Sequence, residues 1–459
     1  MSNAGVFQAG FVSGILVLVS SAMLIGCSMH VAPLRKYAPL PHAPRSIKFI
    51  SKDAPVNTKK ALSLDEAIAI CMTGNHALRI AREEINIAEG QLQQAKLLHN
   101  PEIEFSISSS SAADSVLSIA GSLLQPIELF WPKRQVAISV AEASLERAKA
   151  EVQRVEWEMR VNIKRTYLQT ILQQNEKALF EQSLEIIQRL SSATARLKAG
   201  GEVSRLSELL VQSEVVETKA RLIEAESVLA KKRSELAILL GIPSLPQLMD
   251  GTLEFPDSFD LDPSNLSRTF AAGNIEIYLG DAELRLAALE QAAASNTWWP
   301  TPNLGVTAER DVDATRLFGG LFSLELPIFH RNQGEIQSRA AALSKARIER
   351  ERTQFVGQHT LDRLTILLRR TMQLISLYRD EGMPAVEENL MLVQKAITAG
   401  ELSTLELIAA RQQAITMKLA YLQTRFAGVE ILLDLEAVLG TPVFELQMAY
   451  AAPQENATP

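Results

Sequence analysis

The chain has 459 residues, with 47% hydrophobic and 22% charged residues and a formal net charge of -7. That balance suits a folded body, and the negative charge argues against nucleic acid as a partner. Aromatic residues make up only 5%, so apolar burial must come from Leu, Ile, Val and Ala, as in helical bundles and coiled coils.

Residues 1–26 read as a signal peptide. Phe11 to Ile25 is an uncharged apolar run, too short for a comfortable transmembrane helix, and it leads into Leu24-Ile25-Gly26-Cys27. This resembles a bacterial lipoprotein signal, although Met1 to Gly10 carries no Lys or Arg. The Cys27 thiol is the group that would take a diacylglyceryl thioether, with palmitate completing the anchor, and Ser28 after it fits sorting to the outer membrane. Residues 27–61 are then a lipid anchor and tether, rich in proline (Pro33, Pro39, Pro41, Pro44, Pro55) and without a period. With Cys27 acylated, Cys71 has no partner and reads as a buried thiol on a helical pattern.

A first unit is expected over 62–243. Ser63 and Glu66 form a capping box for a helix predicted to continue through Leu78, Ile85, Ala88 and Leu92 to about Leu98. After Pro101 the period changes: Ile103, Phe105 and Ile107 alternate with Glu102, Glu104, Ser106 and Ser108, which is strand spacing. A turn over 109–114 and a second strand through Leu117, Ile119, Gly121 and Leu123 lead to Pro126. From Lys133 a helix runs to a tip at Gly200-Gly201-Glu202, a length of roughly 100 Å at about 1.5 Å per residue, which no compact core requires. A return helix from Val203 to Leu240 is closed by Gly241 and Pro243. On it Leu209, Val216, Ile223, Ala230 and Ala237 recur every seven residues, beside Leu206, Ser213, Ala220, Ser227 and Ser234. That is a coiled-coil seam, one row of which is almost entirely small.

The pattern repeats after a Pro- and Gly-containing linker, 244–274. In the second unit, 275–442, a helix from about Ile275 to Thr297 precedes strands marked by Leu304, Val306 and Ala308 and by Phe318, Gly320, Phe322 and Leu324. Pro327, the tip Ala399-Gly400-Glu401-Leu402-Ser403, the rows Ile408, Ile415, Leu422, Val429 and Leu405, Leu419, Phe426, Leu433, and the ending Leu439-Gly440-Thr441-Pro442 all match the first unit. The chain is a tandem duplication with a short tail, 443–459.

The fold class is therefore mainly α, with tandem-duplicated long coiled-coil helices and four strands per chain. Four strands of this length cannot close a barrel. Either they are hairpins that cap a bundle, or copies of the chain complete them; three copies give a twelve-stranded barrel continuous with a helical tube.

The lipobox, the two-fold repeat, the Leu64-Asp65-Glu66-Ala67 opening, the Gly-containing tips and the Leu-Gly-x-Pro endings together resemble the TolC-like outer-membrane factor family. The run Leu326-Pro327-Ile328-Phe329-His330-Arg331-Asn332-Gln333-Gly334-Glu335 resembles its CzcC-like, heavy-metal branch. The resemblance implies a homotrimer lipid-anchored in the outer membrane of a Gram-negative bacterium, with a barrel there and an α-helical tunnel in the periplasm. It would serve as the passive exit duct of a tripartite efflux system, working with a periplasmic membrane-fusion adaptor and an inner-membrane pump of the resistance-nodulation-division type. The adaptor-facing tips carry over to Gly200, Gly201, Glu202, Val203 and Ser204, and to Gly400, Glu401, Leu402 and Ser403. A ring of acidic residues near the second tip carries over to Glu406, while Ala409 and Leu402 depart from the family's acidic and Arg positions.

Heavy-metal cations are the expected cargo; organic compounds or secreted polypeptides through the same architecture, and a lipid-anchored coiled-coil scaffold without a pore, are the alternatives. No enzyme activity, cofactor or resident metal is expected. His30, His42, His76, His99, His330 and His359 are scattered without ligand spacing, and the Met residues form no soft-ligand ladder.

Overall fold

The computed structural model describes residues 61–109, 117–128, 132–200, 203–248, 251–253, 262–296, 300–310, 315–399, 404–442 and 448–450. The expected signal, Cys27 and the tether lie outside them, as do Gly201, Glu202, Gly400, Glu401, Leu402 and Ser403.

The first repeat opens with α1 (Leu64–Gly74) and α2 (His76–Lys96). The capping box is present, with Ser63 and Glu66 bonded reciprocally. The single helix expected from Ser63 to about Leu98 is broken at Asn75. There the backbone is extended, and the Asn75 side chain accepts from the N–H groups of Ala77 and Leu78 to start a new helix. Strands β1 (Glu102–Ser109) and β2 (Leu117–Pro126) follow, then α3 (Pro132–Ala199) and α4 (Arg205–Leu240). Helix α3 is 68 residues without interruption.

After a short β3 (Gly251–Leu253), the segment read as linker contains α5 (Pro263–Gly273). It has 11 residues, as α1 does, and stands before α6 (Ile275–Asn296) as α1 stands before α2. Structural correspondence between the halves thus begins inside 244–274. Strands β4 (Asn303–Arg310) and β5 (Arg316–Ser323) lead into α7 (Gln333–Leu377), a π-helical turn (Tyr378–Gly382), α8 (Met383–Ala399) and α9 (Thr404–Leu439); β6 (Met448–Tyr450) pairs with β3.

Gly241 and Gly440 end α4 and α9 with φ of 71° and 70°. A side chain there would also collide with the carbonyls of Gly74 and Gly273, so conformation and close approach both demand glycine. At the same junctions Asn75 Nδ2 donates to the Leu239 carbonyl at 2.8 Å and Asn274 Nδ2 to the Val438 carbonyl at 2.6 Å. The two contacts are the same joint built twice.

Two apolar cores surround these joints. One gathers Leu64, Ala67, Cys71, Tyr167, Leu168, Ile171, Leu236 and Leu240 with Phe426, Val429 and Leu433 of the second repeat. The other gathers Phe270, Ile277, Leu361, Leu364, Leu368, Leu432, Leu435 and Leu439. Cys71 is buried as expected, its thiol donating to the Leu239 carbonyl at 3.4 Å and pushed up to about 12 by burial. Phe270 takes the place of Cys71 in the second repeat, and Gly357 of α7 makes room for the ring, since a Cβ there would sit 2.4 Å from it.

Candidate channel wall and gate

Strands β1, β2, β4 and β5 form one antiparallel sheet in the order β1-β2-β4-β5, so the β2–β4 pairing joins the two repeats. Register sorts the side chains. Ile103 opposes Leu123, Phe105 opposes Gly121, Ile107 opposes Ile119, Leu123 opposes Val306, and Leu304 opposes Phe322. These residues share one face, which is apolar and exposed; Phe105 is 78% and Phe318 82% accessible. Phe105 lies over Gly121, its ring 3.3 Å from where a Cβ would be, and so covers the gap that glycine leaves in the sheet. The opposite face carries Glu102, Glu104, Ser106 and Ser108 beside Ser118, Ser122, Thr307 and Glu309. Ser122 Oγ donates to Glu104 Oε2 at 3.4 Å and Ser118 Oγ to Glu309 Oε1 at 3.5 Å, so the polar face is knitted by hydroxyl-to-carboxylate bonds.

A sheet with an exposed apolar face and two outer edges is not a stable soluble element, because both the greasy surface and the edge N–H and C=O groups want partners. Among the described residues, the outer edges of β1 and β5 have none. Strands of 8 to 10 residues with apolar and polar faces in alternation match the wall of a membrane barrel. Among the described residues no helix is long and apolar enough to cross a membrane.

The long helices repeat this incompleteness. The seam read on α4 does not pack within its own hairpin: Val216 is 67% and Ile223 63% exposed, and Leu206 and Leu209 are exposed too. Helix α4 instead turns Val211, Thr218 and Ala225 inward, a row offset by two residues from Leu209, Val216 and Ile223. In α9 the equivalent seam is covered along most of its length, since Val429 and Leu433 belong to the first core and Ile408 sits with Ile187 and Val211 of α3 and α4, while Leu405 at its tip end is 60% exposed. The seam is thus an inter-repeat surface. Beyond Leu405 the second repeat's copy is satisfied by the first repeat, and the first repeat's copy finds no cover among the described residues.

Polar contacts reinforce this α9-to-first-repeat contact along its length. Lys164 Nζ donates to Glu436 Oε1 at 2.5 Å, both side chains buried. Arg165 pairs with Asp434, Gln169 Nε2 donates to Glu430 at 3.1 Å, and Gln423 Nε2 to Glu176 at 2.9 Å. Toward the tip, Arg411 Nη2 donates to the Ser183 carbonyl at 2.8 Å and Gln412 Nε2 to Glu214 Oε2 at 2.7 Å. No motif in the sequence marked these residues, because each is an ordinary charged or amide side chain until the helices are laid side by side.

At the first tip, Gly200 continues the α3 ladder by donating to Arg196 O at 3.2 Å, and Ser204 caps α4 by accepting from the Ser207 N–H at 3.1 Å. Val203 lies between them, before the cap. Glu208 accepts from Lys198 Nζ at 2.6 Å and pairs with Arg205. The Lys198 hydrogen bond, with Arg205 behind it, holds the Glu208 carboxyl below the usual range. Glu406 is exposed in the first turn of α9, where a carboxylate also suits the helix dipole. His99 and His330, far apart in sequence, line one cleft of about 610 Å³ where strands meet helices, and His99 Nδ1 bonds Glu128 Oε2 at 2.8 Å. Among the described residues no group of His, Cys, Asp and Glu has the arrangement of a metal site.

Long paired helices with an uncovered seam, joined to an open four-stranded sheet with one apolar face, define the protomer of an oligomeric outer-membrane channel. The sequence agrees: residues 71–242 match the family described as outer membrane efflux protein. That match lies in the first repeat, and the chain as a whole resembles the TolC-like family of outer-membrane efflux channels. A curated relative, the cobalt-zinc-cadmium resistance protein CzcC of Cupriavidus metallidurans, is 24% identical over 388 residues, covering 83% of this chain and 90% of that protein. Among solved structures, CusC superposes with a TM-score of 0.70 at 16% identity, over 82% of this chain and 92% of its own. The outer membrane channel CmeC of Campylobacter jejuni gives 0.71 at 14% identity, over 84% and 86%.

Proposed function

We propose that three copies of this protein form the exit duct of a tripartite efflux assembly that expels heavy-metal cations. The observation that carries the reading is the double incompleteness of the protomer. Among its described residues each copy leaves two sheet edges and one helical seam open, and a ring of copies can close all of them with the contact already used between the repeats. Such head-to-tail contacts form closed rings when the rotation closes. The cargo assignment rests on the likeness to CzcC and on the acidic, Ser-rich polar face of the sheet, which would line the pore with carboxylates.

In this reading Cys27 carries the lipid anchor. Gly200, Gly201, Glu202, Val203 and Ser204, with Gly400, Glu401, Leu402 and Ser403, meet a periplasmic adaptor that couples the duct to an inner-membrane pump of the resistance-nodulation-division type. Glu406 from each copy narrows the entrance, where carboxylates sharing an axis attract cations and resist full ionisation together.

The test is planar-bilayer conductance of the full-length protein, with its mass in detergent measured in parallel and Co²⁺, Zn²⁺ or Cd²⁺ added on the tip side. A trimer with cation-selective conductance blocked by these ions, and weaker block with higher resting conductance in Glu406→Ala, is the expected result. A monomer without conductance would refute the duct. Conductance indifferent to the divalent ions would move the cargo to organic compounds or polypeptides, and block unchanged in Glu406→Ala would remove Glu406 from the gate.

A further inference from the structure

The cleft of about 610 Å³ is built by both repeats, from the connections that join strands to helices. His99 stands between α2 and β1, Glu128 follows β2, and Glu325 and His330 stand between β5 and α7. Their backbones are tied down on either side. Gln125 Nε2 donates to the His99 carbonyl at 3.0 Å, and the Ile127 N–H crosses to the Pro302 carbonyl of the second repeat at 2.9 Å. Asn332, with φ of 61°, turns the chain after His330 into α7 and donates from Nδ2 to the Ala294 carbonyl at 3.1 Å. Asn303 and Ser323 also line the cleft. They oppose each other in the β4–β5 register on the face that carries Thr307 and Glu309, so the cleft opens on the polar side of the sheet.

The chemistry of the lining is that of a weak cation ligand set. A carboxylate accepts hydrogen bonds, so the 2.8 Å contact between His99 Nδ1 and Glu128 Oε2 puts the proton on Nδ1. The neutral ring then keeps its lone pair on Nε2, the arrangement by which a carboxylate orients a metal-ligating imidazole and raises its basicity. Glu128 is sheltered at 19% exposure while the His99 side chain is 74% exposed, which leaves the ring open to an arriving ion. Glu325 and His330 are exposed as well. The only other charged side chain lining the cleft is Lys133, and Arg134 beside it donates to the Lys96 carbonyl at 2.6 Å. With neutral imidazoles the two carboxylates outnumber the Lys133 ammonium, and with both imidazoles protonated the balance reverses. Among the described residues no three His, Cys, Asp or Glu side chains are grouped closely enough to hold an ion alone. Water must therefore complete the coordination, and such a seat releases its ion readily, as passage through a duct demands.

We infer that this cleft is a passing seat for a divalent transition-metal cation, taken up by the imidazoles of His99 and His330 beside the Glu325 carboxylate, with Glu128 orienting His99. Imidazole selects Zn²⁺, Co²⁺, Ni²⁺ and Cu²⁺ over Mg²⁺ and Ca²⁺, whereas carboxylates alone would not. The ion is cargo here, not a resident cofactor. Because His99 belongs to the first repeat and His330 to the second, a seated ion would also bridge the repeats where the sheet meets the helices. The inference deepens the heavy-metal duct reading and rests on it for its purpose, but the seat is measurable without any conductance.

The experiment is equilibrium dialysis of the untagged full-length protein in detergent against Zn²⁺ with excess Mg²⁺, with bilayer recordings of the same samples. Binding of about one Zn²⁺ per chain is expected at about pH 7.5 and its loss at about pH 5.5, where histidine charges and its lone pair is gone. The His99→Ala, His330→Ala variant should lose the site, and Glu128→Gln, which keeps an acceptor for Nδ1 but not the charge, should weaken it about tenfold. His359→Ala is the control, since that ring lies against Phe355 at 4.4 Å and does not line the cleft. Circular dichroism and the mass in detergent confirm that each variant is folded and assembled. No Zn²⁺ bound at the higher pH, binding unchanged in the double variant, or an equal loss in His359→Ala would overturn the seat whether or not the protein conducts. Binding as expected in a protein that does not conduct would leave the seat standing and overturn the duct.

Discussion

Replacing Lys164 with Met should destabilise the folded protein by an amount set by pH. Lys164 of α3 reaches Glu436 of α9 at 2.5 Å, and Glu436 is 0% exposed with Oε2 lacking a hydrogen-bond partner. Burial pushes the Glu436 carboxyl above its usual range, while Lys164 and Arg160 pull the other way. Without the ammonium, the carboxylate escapes isolation by taking up a proton. From an ordinary Glu pKa of about 4.3, carrying that proton at pH 7 costs about 3.7 kcal/mol at about 1.4 kcal/mol per pH unit. This caps the penalty and lies in the range of about 3–5 kcal/mol for breaking a buried pair. At pH 5 the same step costs about 1 kcal/mol. The sign follows from linkage: a folded-state pKa raised above the unfolded one means that the folded state holds more protons in between, so stability falls as pH rises through that window.

Urea unfolding in detergent, followed by far-UV circular dichroism, should therefore show the gap between wild type and Lys164→Met widening by up to about 2.7 kcal/mol from pH 5 to pH 7. Arg160 also faces Glu436, and its Nε is buried without a hydrogen-bond partner. It is placed to take over as counter-ion, so the Arg160→Met, Lys164→Met double variant should show the full pH dependence. A penalty equal at both pH values in the single and the double variant would refute the account.

Two further outcomes follow from the repeated joint and the polar sheet face. Asn75→Ala and Asn274→Ala each lose a helix cap worth about 1 kcal/mol and a buried side-chain donor worth about 1 kcal/mol more. Asn274→Ala should be the costlier in urea unfolding, because Leu239 O keeps the Cys71 thiol as a second donor whereas Phe270, in the place of Cys71, offers none. Equal losses would show that the thiol contributes nothing. The Glu104→Gln, Glu309→Gln variant should move the reversal potential in a KCl gradient toward zero while leaving assembly intact; an unchanged potential would place the selectivity elsewhere.

The duplication, the long helices and the strand pairs were legible from residue types and spacings alone, because each rests on local signals, while the class of protein came from the family resemblance that those parts together carry. A heptad, an alternation after Pro101, a capping box at Ser63 and Gly-containing tips carry their meaning within a few turns of chain. The break at Asn75 had a signal too, Gly74-Asn75 matched by Gly273-Asn274, but Asn tolerates a helix interior well enough for the apolar pattern to pass across it. The α5 helix hid among the prolines of a linker for the related reason that Pro263 at a first helical turn is favourable, although proline elsewhere reads as a breaker.

What a seam packs against is a different kind of fact. The row Leu209, Val216, Ile223 showed that α4 needs a partner, and only the tertiary structure decided that the partner is not α3. Two helices of one hairpin can meet along any of several stripes, and the choice depends on how the rest of the chain fills space. The pairs Lys164–Glu436 and Arg411–Ser183 belong to the same category. Their residues stand 272 and 228 positions apart, and no local pattern can join them. The π turn lies between the two: Pro384 is a local signal for a fault in the helix that the two-fold repeat hid, and whether it would kink, break or widen depended on the packing of Tyr378 and Gly382 against α9. The sequence determined the parts and their repetition, since these follow from short-range sterics and periodicity. The inward and outward faces were decided by which surfaces the chain can cover by itself.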